Sequence, residues 1–317
     1  MQRTFDVSAV REQFPALRRT HNGRPVAYFD GPGGSQVAGP AIEAMSRYME
    51  RGGANLHGAF PTSIETEEII ADTRHAMAAF LGAEPDEIAF GANMTTLTFA
   101  VSRALARGWD ERSEIVLTEL DHRANVDPWL LAADEKGAKT RWLPVDSETL
   151  TLDLSNLETT INERTRLVAI GLASNAVGTV NPVAKIAERA REVGALVAVD
   201  AVHAAPHIPI DRDEIGADIL TCSAYKFFGP HVGIIAIRRD LLEALPVYRL
   251  EPAPDYIPDM LETGTQNHEG IAGVGGALDF ISSLGTGDSR RERLVSAMRM
   301  IEDHEDALAA RFRSALG

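Results

Sequence analysis

A chain of 317 residues is long enough for one large domain or two smaller ones around a substantial core, and 44% hydrophobic with 24% charged residues is a soluble, globular composition. Lys and Arg number 31 against 46 Asp and Glu, and the net charge of −15 argues against nucleic acid or an anionic membrane surface as the partner. One cysteine, Cys222, excludes an intrachain disulfide and fits a reducing compartment. With no apolar leader and no apolar run of membrane-spanning length, the expected location is the cytoplasm.

In chain order, Asp6 to Leu17 predicts a short helix broken near Pro15, and Val26 to Phe29 leads into the glycine-rich turn Asp30 to Ser35. The glycines of that turn lack dinucleotide spacing and no long apolar strand precedes them, so as a phosphate loop it is weak. Thr62 and Glu65 form a capping-box pattern for a helix with Ile69, Ile70, Thr73, Met77 and Phe80 on one stripe, ending at Gly82. Glu87 to Phe90 predicts a strand, followed by Gly91 to Thr96 and a helix with Leu97, Ala100, Val101, Ala104 and Leu105 on one side. The paired threonines Thr95 and Thr96 at its start suit either a phosphate or simple helix capping.

The alternation continues with strand Ile115 to Thr118, the turn Leu120 to Asn125, a helix around Trp129 to Glu135, and strand Lys139 to Val145. Ser155 and Glu158 form a second capping-box pattern. Strand Leu167 to Leu172 ends in Ala173 to Gly178, and Asn181-Pro182 opens a helix closed by Gly194. Strand Ala195 to Val199 delivers Asp200 and His203 at its carboxyl end. Ile219 to Cys222 is a buried strand that leads to Lys226, Val232 to Ile237 is another, and a Pro-rich passage follows. A final helix is predicted from about Arg291 to Leu316. Strands alternating with helices, with polar residues gathered where strands finish, predict an open α/β sheet with a site along its carboxyl edge.

Lys226 past a buried strand is costly to desolvate without a partner or a function; imine formation with a carbonyl cofactor is one such function, and snorkelling to solvent is the plain alternative. Four other strand ends offer Thr95 with Thr96, His122, Asn175 and Asp200. An aldehyde cofactor bearing a phosphate and a pyridine nitrogen uses one of each: an amine for the aldehyde, a carboxylate for the ring nitrogen, a flat side chain and hydroxyls for the phosphate. Asp200 could equally cap a helix, and His122 could be a turn residue. A metal site built on His203 and His207 with His231 is disfavoured, since Pro206 interrupts the pair and no Glu lies within it, so no metal is expected.

The ordered motifs YFDGPGG, ANLHG, GANMTT, LDHRANVDPW, SNAVGT, VDAVHAAPH, SAYKFFGPH and ETGTQN, from about Phe29 to Ala277, resemble the class V aminotransferase group of fold-type I pyridoxal 5'-phosphate (PLP) enzymes, near its cysteine desulfurase and selenocysteine lyase branch. The resemblance implies a PLP-binding large domain over residues 23–288, a mostly parallel sheet flanked by helices, after an N-terminal arm over 1–22. Residues 289–317 are then a long linker helix at the start of a small C-terminal domain that is largely missing.

It makes Lys226 the Schiff-base lysine, Asp200 the partner of the pyridine nitrogen and His122 the ring-stacking residue. Thr95, Thr96 and Ser223 become phosphate ligands, Asn175 lies beside the ring hydroxyl and substrate, and Thr265 reaches the phosphate of a neighbouring subunit, which implies a homodimer. His203 and Tyr225, also at the cofactor, stand where desulfurases usually carry glutamine and histidine. Desulfurases place a nucleophilic cysteine and a carboxylate-gripping arginine in the C-terminal domain; Cys222 lies in an apolar strand and reads as an inert thiol. The implied activity is that of a PLP-dependent transferase or lyase acting on an amino acid, and the alternative is a member of the family that binds PLP or a partner without turnover.

Overall fold

The computed structural model describes residues 5–316; the first four residues of the predicted N-terminal arm and Gly317 lie outside them. Seven strands form the central sheet: β1 (Ile88–Gly91), β2 (Glu114–Thr118), β3 (Lys139–Leu143), β4 (Thr165–Gly171), β5 (Leu196–Asp200), β6 (Ile219–Ser223) and β7 (Gly233–Ile237). Their order across the sheet is β1-β7-β6-β5-β4-β2-β3. β3, β2, β4, β5 and β6 run parallel, and β7 runs antiparallel to both β6 and β1. This is the mostly parallel α/β sheet expected from the alternating pattern. The Val, Ile, Leu and Ala of these strands are buried on both faces, as parallel sheets require.

Alternation along each strand divides the core in two. Ile234 and Ala236 of β7 face one side, packed with α3 (Pro61–Leu81), α7 (Val183–Glu192), α9 (His268–Leu284) and α10 (Arg290–Leu316). Ile235 and Ile237 face the other, against α4 (Met94–Leu105), α5 (Asp127–Lys136) and the short helix Arg239–Ala244. The N-terminal segment breaks as predicted, into α1 (Val7–Glu12) and a 3-10 turn at Pro15–Arg18.

Three helices carry no sequence expectation: the short helix Arg239–Ala244, and α2 (Gly39–Arg51) and α9, which pack against each other. Neither capping box forms. Pro61, whose fixed φ and missing N–H suit a first turn, starts α3 upstream, so Thr62 is already helical and its carbonyl accepts the Thr66 hydroxyl at 2.8 Å. At the second pattern, Asn156 precedes a single turn of helix, Leu157–Thr160, and Ser155 instead donates its N–H to Asp153 at 2.8 Å. The strand predicted over Lys139 to Val145 ends at Leu143; Val145–Asp146 pairs with Thr151–Leu152 in a separate ribbon.

Register brings the functional strand ends level. Asp200 lies opposite Gly171 of β4 and Thr221 of β6, and Gly233 lies opposite both Ser223 and Gly91. A Cβ at Gly233 would come within 2.2 Å of the Asn93 carbonyl carbon, so glycine there lets the start of α4 sit directly against the sheet edge.

Candidate active site

Five strand ends converge on one cavity of about 240 Å³ at the carboxyl edge of the sheet. β1 leads to Asn93, Met94 and Thr95; β2 to Asp121 and His122; β4 to Ser174 and Asn175; β5 to Asp200 and His203; β6 to Ser223, Tyr225 and Lys226. All of these line the cavity.

Lys226 closes a 3-10 turn, Ala224–Lys226, immediately after β6, and is only 7% exposed. Burial lowers the pKa of its amine, opposed by the attraction of Asp200. Asp200, 8% exposed, accepts the Val202 N–H on Oδ1 at 2.8 Å. Burial pushes its carboxyl up to about 6, against that hydrogen bond and the nearby charges of His122 and Lys226. Two opposite charges side by side ordinarily hold each other ionised; here desolvation outweighs the attraction at both.

The glycine-rich turn has a structural part that its weak phosphate-loop signal did not foretell. Its Gly31–Gly33 segment lies over the lysine, and the Pro32 carbonyl accepts a hydrogen bond from Lys226 Nζ. Ser35 clamps the same segment: its N–H and hydroxyl both donate to the Tyr225 carbonyl at 2.9 Å, and its oxygen accepts the Phe228 N–H at 2.8 Å. Tyr225 stacks on His231 at 4.8 Å between ring centroids, with Lys226 Nζ 5.1 Å from the Tyr225 ring centre.

His122 is exposed at the cavity mouth, and its Nδ1 accepts the Ala124 N–H at 3.1 Å. That bond places the neutral ring's proton on Nε2 and fixes the ring as the cap of the Arg123–Asn125 turn. His203 is half-buried, and burial lowers its pKa, helped by His207. Its ring meets His207 edge-on at 5.3 Å, and His207 bonds Glu305 of α10 at 2.7 Å. Among the described residues, only His207 of the three histidines weighed as metal ligands has a side-chain hydrogen-bond partner, and no group of three or more His, Cys, Asp or Glu is arranged to hold a metal ion.

Asn93, rather than either threonine, caps α4: its Oδ1 accepts the Thr96 N–H at 2.9 Å, while the Thr96 hydroxyl donates back to the Asn93 carbonyl at 2.8 Å. Thr95 lines the cavity, whereas Thr96 is exposed outside its lining. Thr265 lies in a separate hollow with Asn55, His57 and Gln266. Its segment is anchored by Glu262, which pairs with buried Arg74 at 2.7 Å and accepts the Phe90 N–H at 2.7 Å. Sequence reasoning passed over Asp121, which lines the cavity beside His122 and shows itself only through its fold neighbours.

The donor set fits PLP. Lys226 offers an amine to an aldehyde, Asp200 an under-neutralised carboxylate to a pyridine nitrogen, and His122 a flat ring. Met94 and Thr95 begin a 12-residue helix whose first N–H groups suit a phosphate.

Comparison with known proteins agrees. The Aminotransferase class-V family pattern matches residues 27–304. The chain belongs to the class V aminotransferase family. That family is PLP-dependent. The chain is similar to a probable cysteine desulfurase of Streptomyces coelicolor, at 36% identity over 89% of this chain and 72% of that protein. A cysteine desulfurase of an Enterobacter species is 34% identical over 93% of this chain and 76% of that one. Among solved structures, the apo cysteine desulfurase of Thermococcus onnurineus NA1 superposes with a TM-score of 0.87 at 27% identity, covering all of this chain and 78% of its own. Among the described residues, no helix is long and apolar enough to cross a membrane.

Proposed function

We propose that this class V family member is a PLP-dependent enzyme acting on an amino acid, with Lys226 as its covalent and proton-moving residue. One observation carries the reading: at level strand ends, in one cavity, a buried lysine and a buried aspartate face each other, and burial disfavours the charged form of each. When bound, PLP supplies an electron sink conjugated to the substrate amine. Lys226 Nζ, less basic than a free lysine, would hold the cofactor by its aldehyde and is the group placed to take the substrate's Cα proton. Asp200 would keep the ring nitrogen protonated, and His122 would offer a flat surface to the ring. Thr95 and the first N–H groups of α4, with Ser223, hold the phosphate; Thr96 and Thr265 reach it only from outside this cavity, Thr265 in a homodimer from the neighbouring subunit. Asn175, His203 and Tyr225 border the space left for substrate.

Cysteine desulfuration in the relatives' manner needs a reactive thiol. Cys222 is the chain's one cysteine, fully buried in β6, with its thiol pushed far up by burial. The proposed chemistry is a lyase or transferase reaction opened by Cα proton removal, in which Cys222 itself takes up no sulfur.

The test is an absorption spectrum of the wild type and Lys226→Ala after incubation with PLP and desalting, followed by borohydride reduction and peptide mapping. A visible band in the wild type that reduces onto Lys226 and is absent from the variant is expected. A wild type that retains no PLP, or retains it equally in the variant, refutes the assignment.

A further inference from the structure

Asp121, Asn125 and Trp129 form a hydrogen-bonded chain that the proposed chemistry leaves unused. Asp121 Oδ1 accepts the Gly171 N–H at 2.7 Å, at the very end of β4. Its Oδ2 accepts from Asn125 Nδ2 at 3.0 Å, across the turn on which His122 stands. Asn125 Oδ1 in turn accepts the Trp129 indole N–H at 3.3 Å, and both Asn125 and Trp129 are buried. The fit is tight: a Cβ on Gly171 would lie 2.7 Å from Asp121 Oδ1. Burial pushes the Asp121 carboxyl up to about 7, with repulsion from Asp200 adding to it, so this second carboxyl is held beside the first at a cost. Although the residue as a whole is only partly shielded, its carboxyl oxygens are enclosed by these donors.

We infer that Asp121 is a positioning residue: by bonding Gly171 on one side and Asn125 on the other, it sets the His122 turn at a fixed distance from the ends of β4 and β5. This deepens the PLP reading and rests on it for what His122 then covers. The direction of each bond makes the idea sharp. Gly171 N, Asn125 Nδ2 and Trp129 Nε1 all donate, so the chain of bonds needs one carboxylate and one carboxamide in series. Asp121→Asn puts two amide groups face to face. Whichever way they flip, one donor meets another, at Gly171, at Asn125 or at Trp129. The exchange Asp121→Asn with Asn125→Asp restores every bond with the charge moved one position along. The carboxamide then at position 121 accepts from Gly171 and donates to the carboxylate then at position 125, which accepts from Trp129.

The experiment uses the full chain with isotopically labelled histidine, the His122 ring signal being assigned by its loss in His122→Gln. Asp121→Asn should move or split the His122 signal in ligand-free protein and weaken PLP binding about tenfold, as expected for one lost buried hydrogen bond. The double exchange should return both to the wild-type values. A merely structural role would lower the melting temperature and leave the His122 signal in place, which overturns the inference. So does a displaced signal that the exchange fails to restore, because the charge at position 121 rather than the bonding order would then be what matters. Should Asp121→Asn not fold, Asn125→Ser removes the bond across the turn while sparing Gly171, and the same comparison applies. If the wild type binds no PLP, the functional reading falls, and the His122 signal still decides the role of Asp121.

Discussion

Asp200→Asn should make the PLP-free protein more stable at pH 8 while depriving it of its cofactor. Asp200 is 8% exposed and its carboxyl sits at about 6 against 3.8 for a free aspartate. The folded state therefore keeps a proton that the unfolded chain releases between about pH 4 and 6, and stability falls as pH climbs through that window. Above it the full penalty is present, about 3 kcal/mol at 1.36 kcal/mol per unit. Asparagine removes the charge and keeps an oxygen for the Val202 N–H, so little else is lost. Relief of repulsion on Asp121 acts in the same direction. Urea unfolding of both proteins without PLP, at pH 8 and at pH 4, gives the answer. The variant should gain up to about 3 kcal/mol at pH 8, and the gain should vanish at pH 4. Equal or lower stability at pH 8, or the same gain at both pH values, would refute the reasoning.

Three further outcomes follow from the packing. Cys222 should resist iodoacetamide in the folded protein and label fully in urea, since its thiol is wholly buried and shifted far above the ordinary thiol range; stoichiometric labelling under native conditions would contradict this. Glu262→Ala should destabilise by about 3–5 kcal/mol in denaturant titration, because it strands the buried Arg74 guanidinium; a loss below about 1 kcal/mol would show that Arg74 finds water or Asp259 instead. Gly233→Ala should cost about 3 kcal/mol and lower PLP retention together, as its methyl drives the Asn93–Met94 backbone off the sheet edge; lost stability with unchanged retention would detach the start of α4 from the phosphate.

The sheet was legible in the sequence because all of its strands but the polar edge strand β3 are short apolar runs bounded by glycine, proline or polar turns, as at Leu167 to Leu172 or Val232 to Ile237. α9 was not: it is buried on nearly every side and carries glycines at 270, 273, 275 and 276, so neither amphipathic period nor propensity marks it. α2 begins at Gly39-Pro40 and shows solvent much of its surface, with only Ala41 fully buried, which hides its inward face. The capping boxes failed because a proline and an Asx turn competed locally, a contest that pattern spacing alone does not decide. At the site, residue types at strand ends placed Lys226, Asp200, His122, Asn175 and Thr95 around one cavity. Asp121 was beyond reach, because its partners Gly171 and Asn125 come from different strand ends and only the pairing of β2 with β4 brings the first of them near.

The cost at Asp200 and the lowered basicity of Lys226 have one source. Both lie on the rigid carboxyl edge of a sheet whose core is closed on each face, and neither can turn to bulk water without breaking a short turn anchored by Val202 or by Ser35. A flexible loop would let the amine and carboxylate close into an ordinary ion pair, which would favour the charged form of each and leave little for a ligand to satisfy. Here the lysine is drawn to the Pro32 carbonyl, and the carboxylate finds a backbone N–H. The two remain unpaired with each other across a cavity. The proposed cofactor would answer both at once: its protonated ring nitrogen would pair with Asp200 and its aldehyde would consume the amine. On the proposed reading, stability withheld at the strand ends is the same quantity that such a ligand would recover on binding.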